Sequence, residues 1–426
     1  MASAEKKPIS VDILIGGAGM AGILAGLAAS REGLKVMIVE RTYSPGGQAT
    51  STLVSEMSGY THLGGEIYGG IEKELVDHLL SVNSARLSLN MPLIPSAHAR
   101  ADRLRYNPEA LKVLIDWLTA ASTIKAVGGC HIEQLEESSK GVRAIVRGGR
   151  DTLEVEARVA IDATGNAELA KMSGLETEYL PQHEASTLLF RLSGTEPRRV
   201  DAFMYGKKAQ ETVLRGHHEG ALPGKHISIA PIPGTNDVVV NATRTFVDPE
   251  SNIDITEGII QSRTQMLRII PFLKENIPGL KSAALAAIAT VIGIRDGHRI
   301  VGETRITERD LLELRRYPDA VAFGCGPIGS HVTIDDDVDW AVVPGIYQIP
   351  YSAMIPRKSQ RIIAAGKSIS CDPMALTSIR CIPVVMNTGE VAGHAAAMAV
   401  RKGTTPAKLD PTDLIEHLKE KGVFFG

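Results

Sequence analysis

The stretch from Val11 to Glu40, VDILIGGAGMAGILAGLAASREGLKVMIVE, constrains this chain more than any other. It spells strand, glycine turn, helix, strand. Asp12 to Ile15 is a short β-branched run suited to a buried parallel strand. Gly17, Gly19 and Gly22 follow as G-x-G-x-x-G. Met20 to Arg31 is rich in alanine and glycine and is of helix length, and Gly33 falls where a C-cap belongs. Lys35 to Val39 is the second strand, closed by Glu40. Gly17 permits the tight turn, Gly19 lets backbone approach a pyrophosphate, and Gly22 lets the helix pack on the strand. The helix N-terminus turns free N–H groups and a positive dipole end toward that anion. Glu40 lies about 20 residues beyond the turn, placed to accept from a ribose hydroxyl. The pattern predicts a dinucleotide site for NAD(P) or FAD, and the segment after Glu40 favours FAD.

That segment is RTYSPGGQATSTLVSEMSGY, with a turn at Pro45, Gly46 and Gly47 and a small polar run from Gln48 to Thr52. Its backbone N–H groups can cradle a second phosphate or the flavin pyrimidine edge, or the segment is an ordinary surface loop. Helical periodicity marks Ile71 to Leu80 and Pro108 to Ala121. From about residue 128 the chain alternates at period two, which predicts a small antiparallel three-stranded unit and then a buried strand, Ala157 to Ile161. That strand ends in Asp162-Ala163-Thr164-Gly165-Asn166, a second glycine turn suited to the dinucleotide.

Leu175 to about Ala289 changes character, with polar strands at Ser186 to Leu192, His226 to Ala230 and Val238 to Arg244, then a long amphipathic helix, Ile255 to Lys274. Ile288 to Glu303 reads as a strand carrying Arg295, His298 and Arg299. Thr307 to Leu314 reads as a helix with capping-box spacing between Thr307 and Asp310. Val321 to Asp339 is a glycine-rich loop with His331, and Arg361 to Gly366 a buried strand. Ala375 to Arg401 reads as a helix interrupted by Pro383, its small face formed by Gly389, Ala392, Gly393 and Ala396. The expected fold is α/β. A Rossmann-like FAD-binding domain, with a parallel sheet and the small antiparallel unit, spans residues 1–174 and 290–403. An inserted α+β substrate or cap domain spans 175–289, and a C-terminal tail 404–426.

Composition narrows the function. The 46 basic and 49 acidic residues leave a net charge of −3 with no basic tract, which argues against nucleic acid as a partner. Cys130, Cys325, Cys371 and Cys381 are scattered without a C-x-x-C, as expected of reduced thiols in a cytoplasmic protein. They leave no iron–sulfur ligand set and no redox dithiol. Leu14 to Ala29 follows two lysines as a signal core would, but Asp12 and the glycines fit the dinucleotide motif better. No run reaches the roughly 18 apolar residues that suggest a membrane span.

With these segments in hand, the chain resembles the FAD-dependent oxidoreductases of the two-dinucleotide-binding-domain flavoproteins, relatives of the fumarate reductase flavoproteins. The likeness runs from about Asp12 to Arg401. It is carried by GGAGMAG with VERTYSPGGQATS, by IDATGNAELA, by IGIRDGHRIVGE, and by IPYSAMIPRKSQRIIAAGKSIS with the following ALTSIRCIPVVMNTGEVAGHAAA. The resemblance implies that Gly17, Gly19, Met20, Ala21 and Gly22 face the pyrophosphate and Glu40 the adenosine ribose. It puts Arg41 along the adenosine, and Gly47, Gln48 and Ala49 along the flavin chain. Ile132 would offer backbone to adenine, Thr164 and Gly165 would touch the adenosine side, and Gly366 and Lys367 the ribityl chain. Arg380 and the helix start from Cys381 to Gly389 would face the isoalloxazine. Two departures stand out. Pro373-Met374 replaces a His-Glu pair common in relatives, and Asn166 stands where Asp is usual.

Flavin chemistry needs a substrate C–H aimed at N5, a proton carrier and charges matching the substrate. Arg295, His298, His331 and Arg380 are the catalytic candidates. Arg295 and Arg299 are suited to clamp a carboxylate, or Arg299 pairs plainly with Glu303. His298 or His331 is suited to act as base, or each histidine packs structurally. Asp335 to Asp337 reads as a solvated acidic run and no metal site is expected; Cys325 reads as an inert thiol. The expected function is hydride transfer between a small organic substrate and the flavin, reoxidised by oxygen or another acceptor. The alternative is a flavoprotein fed by a partner protein or NAD(P)H. A homo-oligomer or an electron-acceptor partner is compatible with either.

Overall fold

A computed structural model describes residues 7–92, 100–179, 184–329 and 341–423. Its centre is a five-stranded, all-parallel sheet. In spatial order it contains β16 (Ile362–Ala364), β11 (Val159–Asp162), β2 (Ile13–Gly16), β3 (Val36–Val39) and β7 (Ile124–Val127). Ile13 pairs with Val36 on one side and Val159 on the other. The strands are short apolar runs because both faces are covered; Ile13, Leu14 and Ile15 are fully buried.

Helix α1 (Met20–Arg31) connects β2 to β3, and every residue from Met20 to Ser30 is buried. A helix enclosed all round needs small residues where backbones meet. A Cβ on Gly26 would stand 2.8 Å from Ile38 Cδ1. The opposite side receives α11 (Ile382–Arg401). The expected helix from Ala375 is in fact two: α10 (Pro373–Ile379), capped by Asp372 onto the Ala375 N–H at 2.7 Å, and α11. The break falls at Arg380 and Cys381, and Pro383 sits in the first turn of α11, where its missing N–H costs nothing.

Flanking the parallel sheet is a second one, β8 (His131–Glu137), β9 (Val142–Gly148) and β10 (Asp151–Ala157), antiparallel as the period-two alternation predicts. β1 (Ile9–Ser10) joins its edge in parallel with β10. A third sheet, unexpected although Ala85 to Met91 alternates apolar and polar residues, pairs β4 (Glu56–Ser58) and β5 (Ala85–Pro92) with β6 (Arg100–Tyr106) between them. Helices α3 (Gly70–Ser81) and α4 (Pro108–Ala120) match the periodic segments.

The segment after Leu175 builds a four-stranded antiparallel sheet in the order β13 (Ser228–Pro231), β14 (Val238–Asn241), β12 (Phe190–Ser193), β15 (Ala284–Ile288). Helices α6 (Pro197–Met204), α7 (Lys207–His218) and α8 (Asn252–Asn276) accompany it, around a separate core containing Phe190, Val200, Val240 and Ile269.

Three expectations fail here, the first being that Val321 opens a loop: Ala320–Gly324 is a buried strand paired with Tyr347–Pro350. Ile288 to Glu303 is not one strand. β15 ends at Ile288, and only Arg299–Ile300 is extended again, paired with Thr177–Glu178. Gly297 takes φ +158°, and the His298 N–H donates to Asn166 Oδ1 at 2.7 Å, so this backbone serves the neighbouring turn rather than a ladder. The residues after Thr404 are not merely a polar tail. α12 (Pro411–Glu420) buries Leu414 and Leu418 completely. The small helices α2 (Gln48–Ser51), α5 (Glu168–Met172) and α9 (Glu308–Leu312) complete the set, and α9 carries the expected Thr307–Asp310 capping box. No helix among the described residues is long and apolar enough to cross a membrane.

Candidate functional site

Gly17 has φ +98°, and a Cβ there would stand 2.5 Å from the Ala163 carbonyl oxygen. That contact brings the β2 turn against the β11 turn. Gly19 differs. It is the N-cap of α1, and nothing lies within 4 Å of where its Cβ would be. No side chain caps α1 and no acid occupies its first turn, so its N–H groups are left for an anion. The Pro45–Gln48 loop folds over this turn: the Gly46 N–H donates to Ala18 O at 2.8 Å, and Gly47 crowds the Gly19 Cα. Glu40 braces both, accepting from the Ala18 N–H at 2.8 Å and the Thr42 N–H at 2.9 Å.

Two spaces open from this turn. The smaller, about 110 Å³, is walled by Gly17, Glu40, Arg41, Ile132, Thr164 and Glu168. Arg41 is ion-paired with Glu168 across it. The larger, about 580 Å³, begins at Gly17, Gly19, Met20 and Ala21 and runs past Gly47, Gln48 and Ala49. It continues by Thr164, Gly165, Gly366 and Lys367 to the cap sheet, where Leu189, Ile227, Ala230 and Val239 form an apolar wall. Gly17, Glu40 and Thr164 line both spaces, so the glycine turn sits at their junction. The open Cβ position at Gly19 and the uncapped helix are what a dinucleotide pyrophosphate requires, and the residues present fit FAD.

Cations crowd the large cavity. Arg295 lines it and donates to the Ala185 carbonyl. Burial presses its pKa down to about 10, though the Glu184 carboxylate works the other way. Arg380 is ion-paired with Glu184, and that carboxylate holds its pKa up against burial. Lys367 donates to Asp296 O at 2.8 Å, and burial and then the Arg380 charge push its pKa down to about 8. The cap contributes Arg244, and β6 contributes Arg103, 3.2 Å from Glu56. Sequence reasoning missed these last two; the only signal for Arg244 was an arginine closing the apolar run from Val238.

Other candidates are placed elsewhere. His298 is not among the cavity-lining residues; its Nδ1 is 3.1 Å from Thr177 Oγ1, its Nε2 is 3.0 Å from Glu250, and it stacks on Tyr179. Arg299, 2% exposed, donates to Cys371 O and Gly297 O, so it neither joins Arg295 in a clamp nor pairs with Glu303. Of the helix start from Cys381 to Gly389, Cys381, Ile382 and Val385 line the large cavity, while Gly389 packs on Ala21 and is not among the lining residues. Gly22 is likewise a packing glycine, its Cβ position filled by Gly17 O. His331 and Asp335 to Asp337 lie outside the described residues. Cys325 lines no part of the cavity; it is buried, which pushes its thiol up to about 12.

A glycine turn with an uncapped helix N-terminus between two chambers, one of them bordered by a separate sheet, fits a dinucleotide. The chain belongs to the FAD dependent oxidoreductase family, which it matches over residues 12–420, and FAD is its cofactor. No curated protein sequence matches it. Among solved structures it is similar in fold to a geranylgeranyl bacteriochlorophyll reductase-like protein from Thermoplasma acidophilum. That match has 14% identity and TM-score 0.51, covering 98% of this chain and 85% of the other. It is also similar to p-nitrophenol 4-monooxygenase from Pseudomonas putida, with 11% identity, TM-score 0.50 and coverage of 97% and 84%. The halogenase PltM is similar at 12% identity and TM-score 0.50, with coverage of 96% and 73%.

Proposed function

We propose that this flavoenzyme moves a hydride between a small organic substrate, held under the cap sheet, and FAD, with oxygen or another acceptor completing the cycle. The supporting observation is the continuity of the large cavity from Gly19 to the apolar wall of Leu189, Ile227 and Val239. When bound, FAD supplies two-electron chemistry at its N5. The α1 N-terminus, the Gly46–Ala49 loop and Glu40 hold the dinucleotide, with Arg41, Ile132, Thr164 and Gly165 on the adenosine side. Gly366 and Lys367 flank the middle of the cavity. Lys367 and Arg380 put positive charge beside it, the electrostatic setting that favours an anionic reduced cofactor. Arg295, on the cavity wall, orients substrate. Four free cysteines support a cytoplasmic setting.

The test is anaerobic reduction of the purified yellow protein. Substrate candidates added without oxygen should bleach the flavin band, and Arg295→Ala should slow bleaching at least tenfold while FAD stays bound. Bleaching only by NAD(P)H or a partner protein would replace this reading with the reductase alternative. Wild-type rates in Arg295→Ala would move the substrate site elsewhere.

A further inference from the structure

Arg244 follows β14 at the cavity wall and is 7% exposed. Its guanidinium donates to three neutral acceptors: Asn241 Oδ1 at 3.2 Å, Thr243 O at 2.8 Å and His226 O at 3.0 Å. No carboxylate among the described residues pairs with it. Among the described residues the charge acting on it is a like one, Arg295, and burial and then that neighbour press its pKa down. Two of the other three arginines lining the cavity differ: Arg103 has Glu56 and Arg380 has Glu184.

The position of Arg244 is fixed at both backbone atoms. Its N–H donates to Gln265 Oε1 at 2.9 Å, and Gln265 Nε2 donates back to its carbonyl at 2.7 Å. A buried cation without a counter-charge is unfavourable unless an anion arrives to neutralise it. Nothing in the described residues supplies that anion, and the cavity is the way in. The dinucleotide phosphates belong to another wall, at the α1 N-terminus. The cap side of the lining joins polar groups near Arg244, Asn241 and His226, to the apolar side chains of Leu189, Ile227, Ala230 and Val239.

We propose that the cap side of the cavity is a carboxylate site for a substrate with an otherwise apolar body, the carboxylate received by Arg244 together with Arg295. This rests on reading the cavity as the substrate chamber and names the class of molecule it takes. Two guanidinium groups lining one cavity select the anion, because binding the matching amide leaves both cations unneutralised.

The test titrates the FAD-loaded protein with benzoate and with benzamide, read by calorimetry and by the flavin difference spectrum. Benzoate should bind saturably and at least tenfold tighter than benzamide. Arg244→Gln should weaken benzoate at least tenfold, leave benzamide unchanged and keep FAD bound, and Arg244→Lys should recover part of the loss. Equal binding of the two probes overturns the proposal without need of any variant. So does unchanged benzoate binding in Arg244→Gln, or release of FAD from it, which would assign this arginine to the cofactor. Benzoate selectivity in a protein whose flavin no substrate bleaches would support the carboxylate site and overturn hydride transfer, so the two readings fail separately.

Discussion

Gly389 rests directly on Ala21: a Cβ on the glycine would stand 2.3 Å from the alanine carbonyl oxygen and 2.6 Å from its Cα. Gly393 meets Ala25 in the same way one turn later. Helices α1 and α11 therefore touch backbone to backbone, and the contact sets where the phosphate-binding turn stands. Overpacking a core site costs about 1–3 kcal/mol, and here the obstacle is backbone that cannot rotate away. Gly389→Val should lower unfolding free energy by at least about 3 kcal/mol in urea titrations, with FAD lost on gel filtration. Wild-type stability would contradict the packing role.

Gly19 offers the opposite case. Its φ of −65° suits any residue and no atom lies near its Cβ position. Gly19→Ala should leave the urea midpoint unchanged but weaken FAD at least tenfold, because the added methyl projects where the pyrophosphate approaches. Fluorescence titration of the apoprotein with FAD measures it.

Glu40 uses both carboxylate oxygens on backbone, one for Ala18 and one for Thr42. An amide keeps only one acceptor oxygen. Glu40→Gln should strand one N–H, at a cost of about 1–3 kcal/mol, and raise the FAD dissociation constant. Full retention of FAD in Glu40→Ala on gel filtration would count against any role at the cofactor.

Arg380 and Glu184 make a buried pair in which the Glu184 side chain is 1% exposed. Removing one partner of such a pair costs about 3–5 kcal/mol, whereas replacing both by apolar groups is often neutral. Arg380→Met should destabilise strongly. Arg380→Met with Glu184→Leu should recover stability without recovering flavin reduction. If the double variant regains activity, Arg380 serves the fold alone.

His394, 3% exposed, faces Glu32, His417, Lys421 and Arg31. Burial, then the His417 charge, pulls its pKa down to about 4 from an ordinary 6.5. Between those values the unfolded chain binds the proton and the native protein does not, so stability rises with pH across this window. It is lost as pH falls from 6.5 toward 4, by up to about 3 kcal/mol. His394→Gln should flatten the slope of unfolding free energy between pH 4.5 and 6.5, measured in urea; an unchanged slope assigns it to other groups.

The cofactor side was largely legible because its logic is local. Gly17, Gly19 and Glu40 stand together at the cavity because they belong to a single βαβ unit, where spacing along the chain dictates spacing in the fold. The three antiparallel strands from His131 to Ala157 were readable for the same reason. The substrate side was not. His298 and Arg299 share a basic stretch with Arg295, yet an irregular backbone after Ile288 sends only Arg295 to the cavity. The sheet carrying Arg103 had one signal, the alternation of apolar and polar residues from Ala85 to Met91. Its other strands are short or strongly charged, and nothing local says that the three pair.

The amino-acid sequence by itself determined the unit proposed to hold the dinucleotide, since thirty consecutive residues contain the strand, the turn, the helix and the acid that compose it. Only the tertiary structure decided which charges enter the chamber beyond it. Arg103, Arg244, Arg295 and Arg380 come from distant segments, and whether a side chain meets a cavity or a carboxylate is settled by how sheets pack, not by its neighbours in the chain.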